Sequence, residues 1–194
     1  MKLGLYGGSF DPVHLGHLLV AQAACEELQL DRLVFLPAAQ SPFKPEQTPA
    51  SAKDRLRLLR MALVGCCHCD VDDQEIRRGG TSYTIHTVED YVTRFPGATL
   101  YYLIGSDHVK ALPKWRDAAK LASLLEFVVI ARPGDPVEPA PSPFRVRALR
   151  GFPLQLSSSE IRDRVRQGLP IRHLVPSGVE ESILNNRLYL PLQS

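Results

Sequence analysis

The sequence predicts an α/β fold, a doubly wound and mostly parallel sheet with a small helical part at the C-terminal end. Three observations carry this. Short apolar runs of strand length alternate with longer segments of helical periodicity. A glycine-rich turn, Gly7-Gly8-Ser9-Phe10-Asp11-Pro12-Val13-His14-Leu15-Gly16-His17, joins the first apolar run to the first periodic segment. Beyond residue 157 two segments of helical pattern follow, with no further strand. Together they describe a Rossmann-like domain, in which ligands bind beyond the carboxyl ends of the strands where strand order reverses.

The elements follow in order. Residues 2–6 read as a strand and 15–28 as a helix. Arg32-Leu33-Val34-Phe35-Leu36 reads as a second strand. Residues 37–50, with Pro37, Pro42, Pro45 and Pro49, form a loop. Ser51 with Asp54 three positions on approaches a capping box, and Leu56, Leu59 and Leu63 lie along one face of the helix it opens. A short strand is expected near 69–76. Thr81-Ser82 precede a helix with Ile85, Val88, Val92 and Phe95 at helical spacing. Residues 99–104 form a buried-type strand ending in Gly105-Ser106-Asp107, and a loop carrying Leu112-Pro113-Lys114-Trp115 follows. Residues 126–131 form another strand, and the proline-rich stretch 132–143 is an exposed loop. Strands near 145–149 and 154–156 lead to helices at about 158–167 and 177–186, with Pro170 and Pro176 between them.

A chain of 194 residues fits one domain, 1–194, with its C-terminal helical part at about 157–194. Net charge is +2, too small to argue for a nucleic-acid or membrane surface. The N-terminus enters Lys2-Leu3-Gly4-Leu5-Tyr6 without a long apolar stretch, and the run Phe127 to Ala131 is too short to span a bilayer. The four cysteines, Cys25, Cys66, Cys67 and Cys69, do not resemble a disulfide framework, so a reducing cytoplasm is expected. Within Cys66-Cys67-His68-Cys69 only Cys66 and Cys69 have Cys-x-x-Cys spacing, and no second pair lies nearby. We read it as a helix exit, and no metal site is expected. The acidic run Asp70, Asp72, Asp73 and Glu75 reads as the solvated side of a strand.

The glycine-rich turn carries the chemistry. Gly7 and Gly8 let backbone approach a ligand and adopt positive φ. His14 and His17, three apart at a helix start, share one face, where they can donate to phosphate oxygens with help from the helix dipole. The turn matches neither the dinucleotide fingerprint nor the P-loop. Either histidine alone would be an ordinary cap or core residue; two within one such turn point to an anion site. A second cluster, Ser157-Ser158-Ser159-Glu160-Ile161-Arg162, opens a helix with a capping box, where hydroxyls, open N–H groups and a guanidinium converge. Taken alone it is an ordinary capped helix.

The run Gly8-Ser9-Phe10-Asp11-Pro12-x-His14-x-Gly16-His17 resembles the signature of the nucleotidyltransferase superfamily with the His/Thr-x-Gly-His motif. The C-terminal cluster resembles that superfamily's second signature, with Ser159 where threonine is usual. The resemblance implies that His14 and His17 are catalytic and stabilise charge as pyrophosphate leaves ATP. It assigns Gly7, Gly8, Ser9, Phe10, Ser158, Ile161 and Arg162 to ATP binding.

Ser82-Tyr83-Thr84, Gly105-x-Asp107 and Leu112-Pro113-x-Trp115 together resemble one branch, the bacterial nicotinate-mononucleotide adenylyltransferases. This implies AMP transfer from ATP, accompanied by Mg²⁺, to nicotinate mononucleotide, giving deamido-NAD and pyrophosphate. Trp115 would stack on the pyridine ring with Ser82, Tyr83 and Thr84 around the acceptor. Gly105 and Asp107 would touch the ATP ribose, and Arg132 would lie near the adenine. The branch usually has Pro-His-Lys after the second strand. Here the text is Pro42-Phe43-Lys44; Lys44 can reach the β and γ phosphates, whereas Phe43 carries no donor. Nicotinamide mononucleotide or phosphopantetheine as acceptor, a fragment resembling class I aminoacyl-tRNA synthetases, and a non-catalytic nucleotide sensor are the alternatives.

Overall fold

A computed structural model of the chain describes residues 1–40, 50–130, 139–152 and 154–190. Six strands, β1 (Lys2–Gly8), β2 (Arg32–Pro37), β3 (Cys69–Val71), β4 (Thr99–Gly105), β5 (Glu126–Ile130) and β6 (Val146–Leu149), form one sheet. Its order is β3-β2-β1-β4-β5-β6, and every neighbouring pair is parallel. The order reverses between β1 and β4, so the switch point lies at their carboxyl ends.

Side-chain alternation along the strands builds a core on each face. Leu33, Phe35, Leu103 and Val128 point to one face, where α1 (Leu15–Leu28), α2 (Ala52–Ala62), α6 (Ser158–Arg166) and α7 (Ser177–Asn185) cover them. Leu3, Leu5, Val34, Leu36, Tyr102 and Phe127 point to the other. There α4 (Thr84–Arg94), α5 (Ala118–Leu124) and a 3-10 helix (Ser106–Lys114) cover them. The C-terminal helices thus share a core with α1 and α2. Gly4 faces that core because Leu30 and Leu33 occupy the space of a side chain, 2.5–2.6 Å from where its Cβ would be.

Three expectations need correction. The strand expected over 69–76 ends at Val71, and α3 (Gln74–Arg78) follows it. The Asp72 carboxylate accepts from the Gln74 amide at 3.0 Å, which turns the chain into that helix. The acidic run is therefore not the solvated side of a strand. Glu75 is buried and accepts from the Thr87 hydroxyl at 2.7 Å, while Asp72 binds the Tyr91 hydroxyl and Arg94, each at 2.9 Å. No strand forms among the described residues of 154–156. The expected loop after Gly105 is instead the 3-10 helix, closed where the Trp115 amide donates to the Leu112 carbonyl. Among the described residues no helix is long and apolar enough to cross a membrane.

Candidate active site

Strand β1 pairs with β4 up to Tyr6–Leu103 and with β2 up to Gly8–Pro37. Beyond that, β1 parts from β4 and opens the cleft at the switch point. The turn that enters this cleft differs from expectation. Phe10, with φ 48°, is its left-handed residue, while neither Gly7 nor Gly8 has positive φ. The Phe10 ring is fully buried against Tyr6, Phe35 and His17, with centroids 5.0–5.4 Å away. Its burial holds the strained backbone in place, and only its main chain can face a ligand.

The glycines serve neighbours. A Cβ on Gly8 would sit 3.0 Å from the Phe10 ring, and one on Gly7 would lie 2.1 Å from the Tyr102 hydroxyl. Tyr102 was not singled out by sequence, yet it joins three site segments. Its hydroxyl lies at Gly7 and accepts from the Thr84 hydroxyl at 3.5 Å, and its ring meets Trp115 edge to face, 6.2 Å between centroids. Burial keeps that phenol protonated, raising its pKa, with the Glu75 carboxylate adding to the effect.

His14 is the N-cap of α1 and is 5% exposed. Its backbone amide donates to Nδ1 of His17 at 3.2 Å. With Nδ1 accepting, neutral His17 carries its proton on Nε2. The two imidazoles stack, 3.7 Å between centroids and 27° between planes. Burial lowers the His14 pKa to about 4 and pushes His17 well below its ordinary value, with His14 beside it adding to the shift. Both rings are neutral at pH 7. Gly16 is explained by the same pair, since a Cβ there would lie 2.9 Å from His14 Nδ1.

The second cluster closes on this turn. Ser157 caps α6, its hydroxyl accepting from the Glu160 amide at 3.2 Å. The Ser158 hydroxyl donates to the Pro12 carbonyl at 2.8 Å, and Arg162 donates to the Asp11 carbonyl at 2.7 Å and to Ser159 Oγ at 3.1 Å. A guanidinium has five N–H donors, so Arg162 keeps donors for an anion. Ile161 is wholly buried and anchors α6 in the core; its side chain does not face the cleft.

Of the residues expected around the acceptor, Ser82 lies beside the segment that follows β2. The Ser82 hydroxyl accepts from the Ala39 amide at 2.9 Å, and the Ser82 amide donates to the Gln40 carbonyl at 3.0 Å. Tyr83 precedes α4, with the Arg116 guanidinium 4.8 Å from its ring centroid. Half-buried Trp115 packs at steep angles, 74–90° between planes, against Tyr102, His108 and Phe127. At the end of β4 the Asp107 carboxylate folds over Gly105, 2.4 Å from where a Cβ would be. Lys44, Phe43 and Arg132 lie outside the described residues.

Arg55 was also missed. It is 2% exposed and donates to the carbonyls of Ser9 at 2.7 Å, Ala50 at 3.2 Å and Ala39 at 3.3 Å. A signal was available: Arg55 sits three and four residues before buried Leu58 and Leu59, an arginine on the apolar stripe of α2.

Known proteins share this chain's sequence and fold. The family model described as cytidylyltransferase-like matches residues 5–164. The chain is 43% identical over 195 residues to a probable nicotinate-nucleotide adenylyltransferase of Opitutus terrae, with all of both chains covered. It is 44% identical over 197 residues to a protein of the same description from Gemmatimonas aurantiaca, covering 97% of this chain and 92% of the relative. In fold it matches the nicotinic acid mononucleotide adenylyltransferase of Plasmodium falciparum complexed with NaAD, with a TM-score of 0.80 at 17% identity and 99% of both chains covered. The chain therefore belongs to the cytidylyltransferase-like nucleotidyltransferases and, within them, to the nicotinate-nucleotide adenylyltransferase family.

Proposed function

We propose that the protein transfers AMP from ATP to the 5′-phosphate of nicotinate mononucleotide, giving deamido-NAD and pyrophosphate. The observation that carries this is the stacked His14–His17 pair at the switch point, with Ser158 and Arg162 clasping the same turn.

A phosphate oxygen of the mononucleotide attacks the α-phosphorus of ATP in line. The bond from that phosphorus to the bridging oxygen breaks, and pyrophosphate leaves with the electron pair. The nucleophile is already an anion at neutral pH, so no general base is needed. The residues have only to place two anions together and neutralise their repulsion. This accounts for a site built of N–H donors and cations in place of an activated nucleophile.

His17, with Nε2–H free to donate, and His14 stabilise charge on the transferring phosphate and the leaving group. Docked phosphates favour the protonated rings and oppose the effect of burial. Ser158, Arg162 and Lys44 hold the β and γ phosphates, with backbone N–H groups of the turn at Gly7, Gly8, Ser9 and Phe10. The family resemblance assigns Gly105 and Asp107 to the ribose and Arg132 to the adenine. Trp115 stacks on the pyridine ring, with Ser82, Tyr83 and Thr84 around the acceptor. Magnesium enters as part of the ATP substrate. Phosphate oxygens and water would be its main ligands. The fold and its products suit a cytoplasmic enzyme of pyridine nucleotide biosynthesis.

The test is pyrophosphate release with MgATP and, in turn, nicotinate mononucleotide, nicotinamide mononucleotide and phosphopantetheine. Fastest release with the nicotinate nucleotide is expected. Fastest release with phosphopantetheine would overturn the acceptor assignment. Nucleotide binding without release from any of the three would overturn the reaction.

A further inference from the structure

The C-terminal turn after α7 reaches back to the phosphate turn. The Tyr189 hydroxyl donates to Asp11 Oδ1 at 2.8 Å, across 178 residues of sequence. The same oxygen accepts from the Ala50 amide at 3.1 Å, just before α2. Asp11 is 4% exposed, so its carboxyl depends on these partners. Its backbone carbonyl receives Arg162 at 2.7 Å, and its other carboxyl oxygen lies 4.0 Å from the same guanidinium. The position of Asp11 therefore sets the position of Arg162.

Tyr189 is held, not merely adjacent. Its φ is 66° and that of Arg187 is 51°, both left-handed and both at non-glycine residues. Such conformations persist only where the surroundings fix them. Leu188 and Tyr189 pack against the core that holds Phe10 and Val13. Burial, then Asp11 beside it, raises the pKa of the Tyr189 hydroxyl, so it stays a donor across the working pH range.

We propose that Tyr189 is a positioning residue for the transfer: the C-terminal turn latches Asp11, and through Asp11 it aims the Arg162 guanidinium at the triphosphate. It rests on adenylyl transfer being the reaction. The effect of Tyr189 passes through Asp11 to Arg162.

The test uses the full chain and three variants, Tyr189→Phe, Arg162→Ala and the double variant, with pyrophosphate release measured at varied ATP and varied nicotinate mononucleotide. Tyr189→Phe is expected to lower kcat/KM for ATP about fivefold to tenfold, the loss of one hydrogen bond to a buried carboxyl. KM for the mononucleotide stays unchanged. In the Arg162→Ala background the same substitution costs nothing further, because the group it aims is gone. A Tyr189→Phe protein with a lowered Tm and unchanged kinetics would overturn the inference, since the bond would then be structural only. An equal loss in both backgrounds would overturn it as well. Absence of turnover in the unaltered protein would overturn the reaction and this inference together. Turnover there with a silent Tyr189→Phe overturns the latch alone.

Discussion

The His14 backbone amide donates to Nδ1 of His17 while the two imidazoles lie stacked with centroids 3.7 Å apart. One hydrogen bond thus caps α1 and sets the tautomer of the second histidine. It aligns Nε2–H of His17 as a donor without a separate orienting residue. The sequence spacing of three is what allows it, since the third residue of a helix can reach back to the cap.

Burying this pair has a cost that depends on pH. The folded-state pKa of His14 is about 4, below the ordinary 6.5, so the unfolded chain binds a proton that the folded one refuses. Stability from this group is complete above about pH 6.5 and falls as the pH drops toward 4. From His14 alone, the loss between pH 7 and 5 is about 2 kcal/mol. Urea unfolding at the two pH values is expected to show it, and His14→Gln is expected to flatten the difference.

Gly7→Ala places a Cβ 2.1 Å from the Tyr102 hydroxyl, at the end of a rigid ring. Overpacking of this kind costs about 2 kcal/mol. The double variant with Tyr102→Phe is expected to recover part of that loss in thermal unfolding, because the oxygen in conflict is removed. Equal Tm values for the single and double variants would contradict the proposed role of Gly7.

Gly16→Ala separates stability from activity. Alanine raises helix propensity by about 1 kcal/mol, which acts against any loss of Tm. The new Cβ lies 2.9 Å from His14 Nδ1 and must displace that ring. We expect kcat to fall on the order of tenfold or more, with Tm nearly unchanged, because small misplacements of a reacting group are costly.

Ser158→Ala removes the hydroxyl that joins α6 to the Pro12 carbonyl and that is assigned to the triphosphate. KM for ATP is expected to rise about fivefold, with KM for the mononucleotide unchanged. Steady-state kinetics with each substrate varied in turn decides it.

Much of this architecture was legible in the sequence, for physical reasons that also mark where legibility ends. The central strands β2, β4 and β5 were visible because buried parallel strands are continuous apolar runs, as in Phe127-Val128-Val129. The helices α3 and α5 were not, because five and seven residues are too few to show a period. His14 and His17 were singled out because two histidines share one glycine-rich turn, and Ser158 and Arg162 because hydroxyls, N–H groups and a guanidinium converge at a helix start. Tyr102 and Tyr189 were not, because a tyrosine in an apolar run or near a terminus reads as core. Their roles come from partners far away in sequence, Gly7 and Asp11. Phe10 reverses the expectation most plainly. An aromatic residue takes the left-handed position that glycine was expected to fill, since burying its ring offsets the strain.

The central claim is that the His14–His17 pair stabilises the charge that develops as pyrophosphate leaves. It is tested most directly by kcat for pyrophosphate release from His17→Ala, with MgATP and nicotinate mononucleotide both saturating and folding checked by circular dichroism. A fall of about two orders of magnitude or more in a folded protein is predicted, as for loss of a transition-state donor. A folded His17→Ala protein that turns over at nearly the unaltered rate would contradict it.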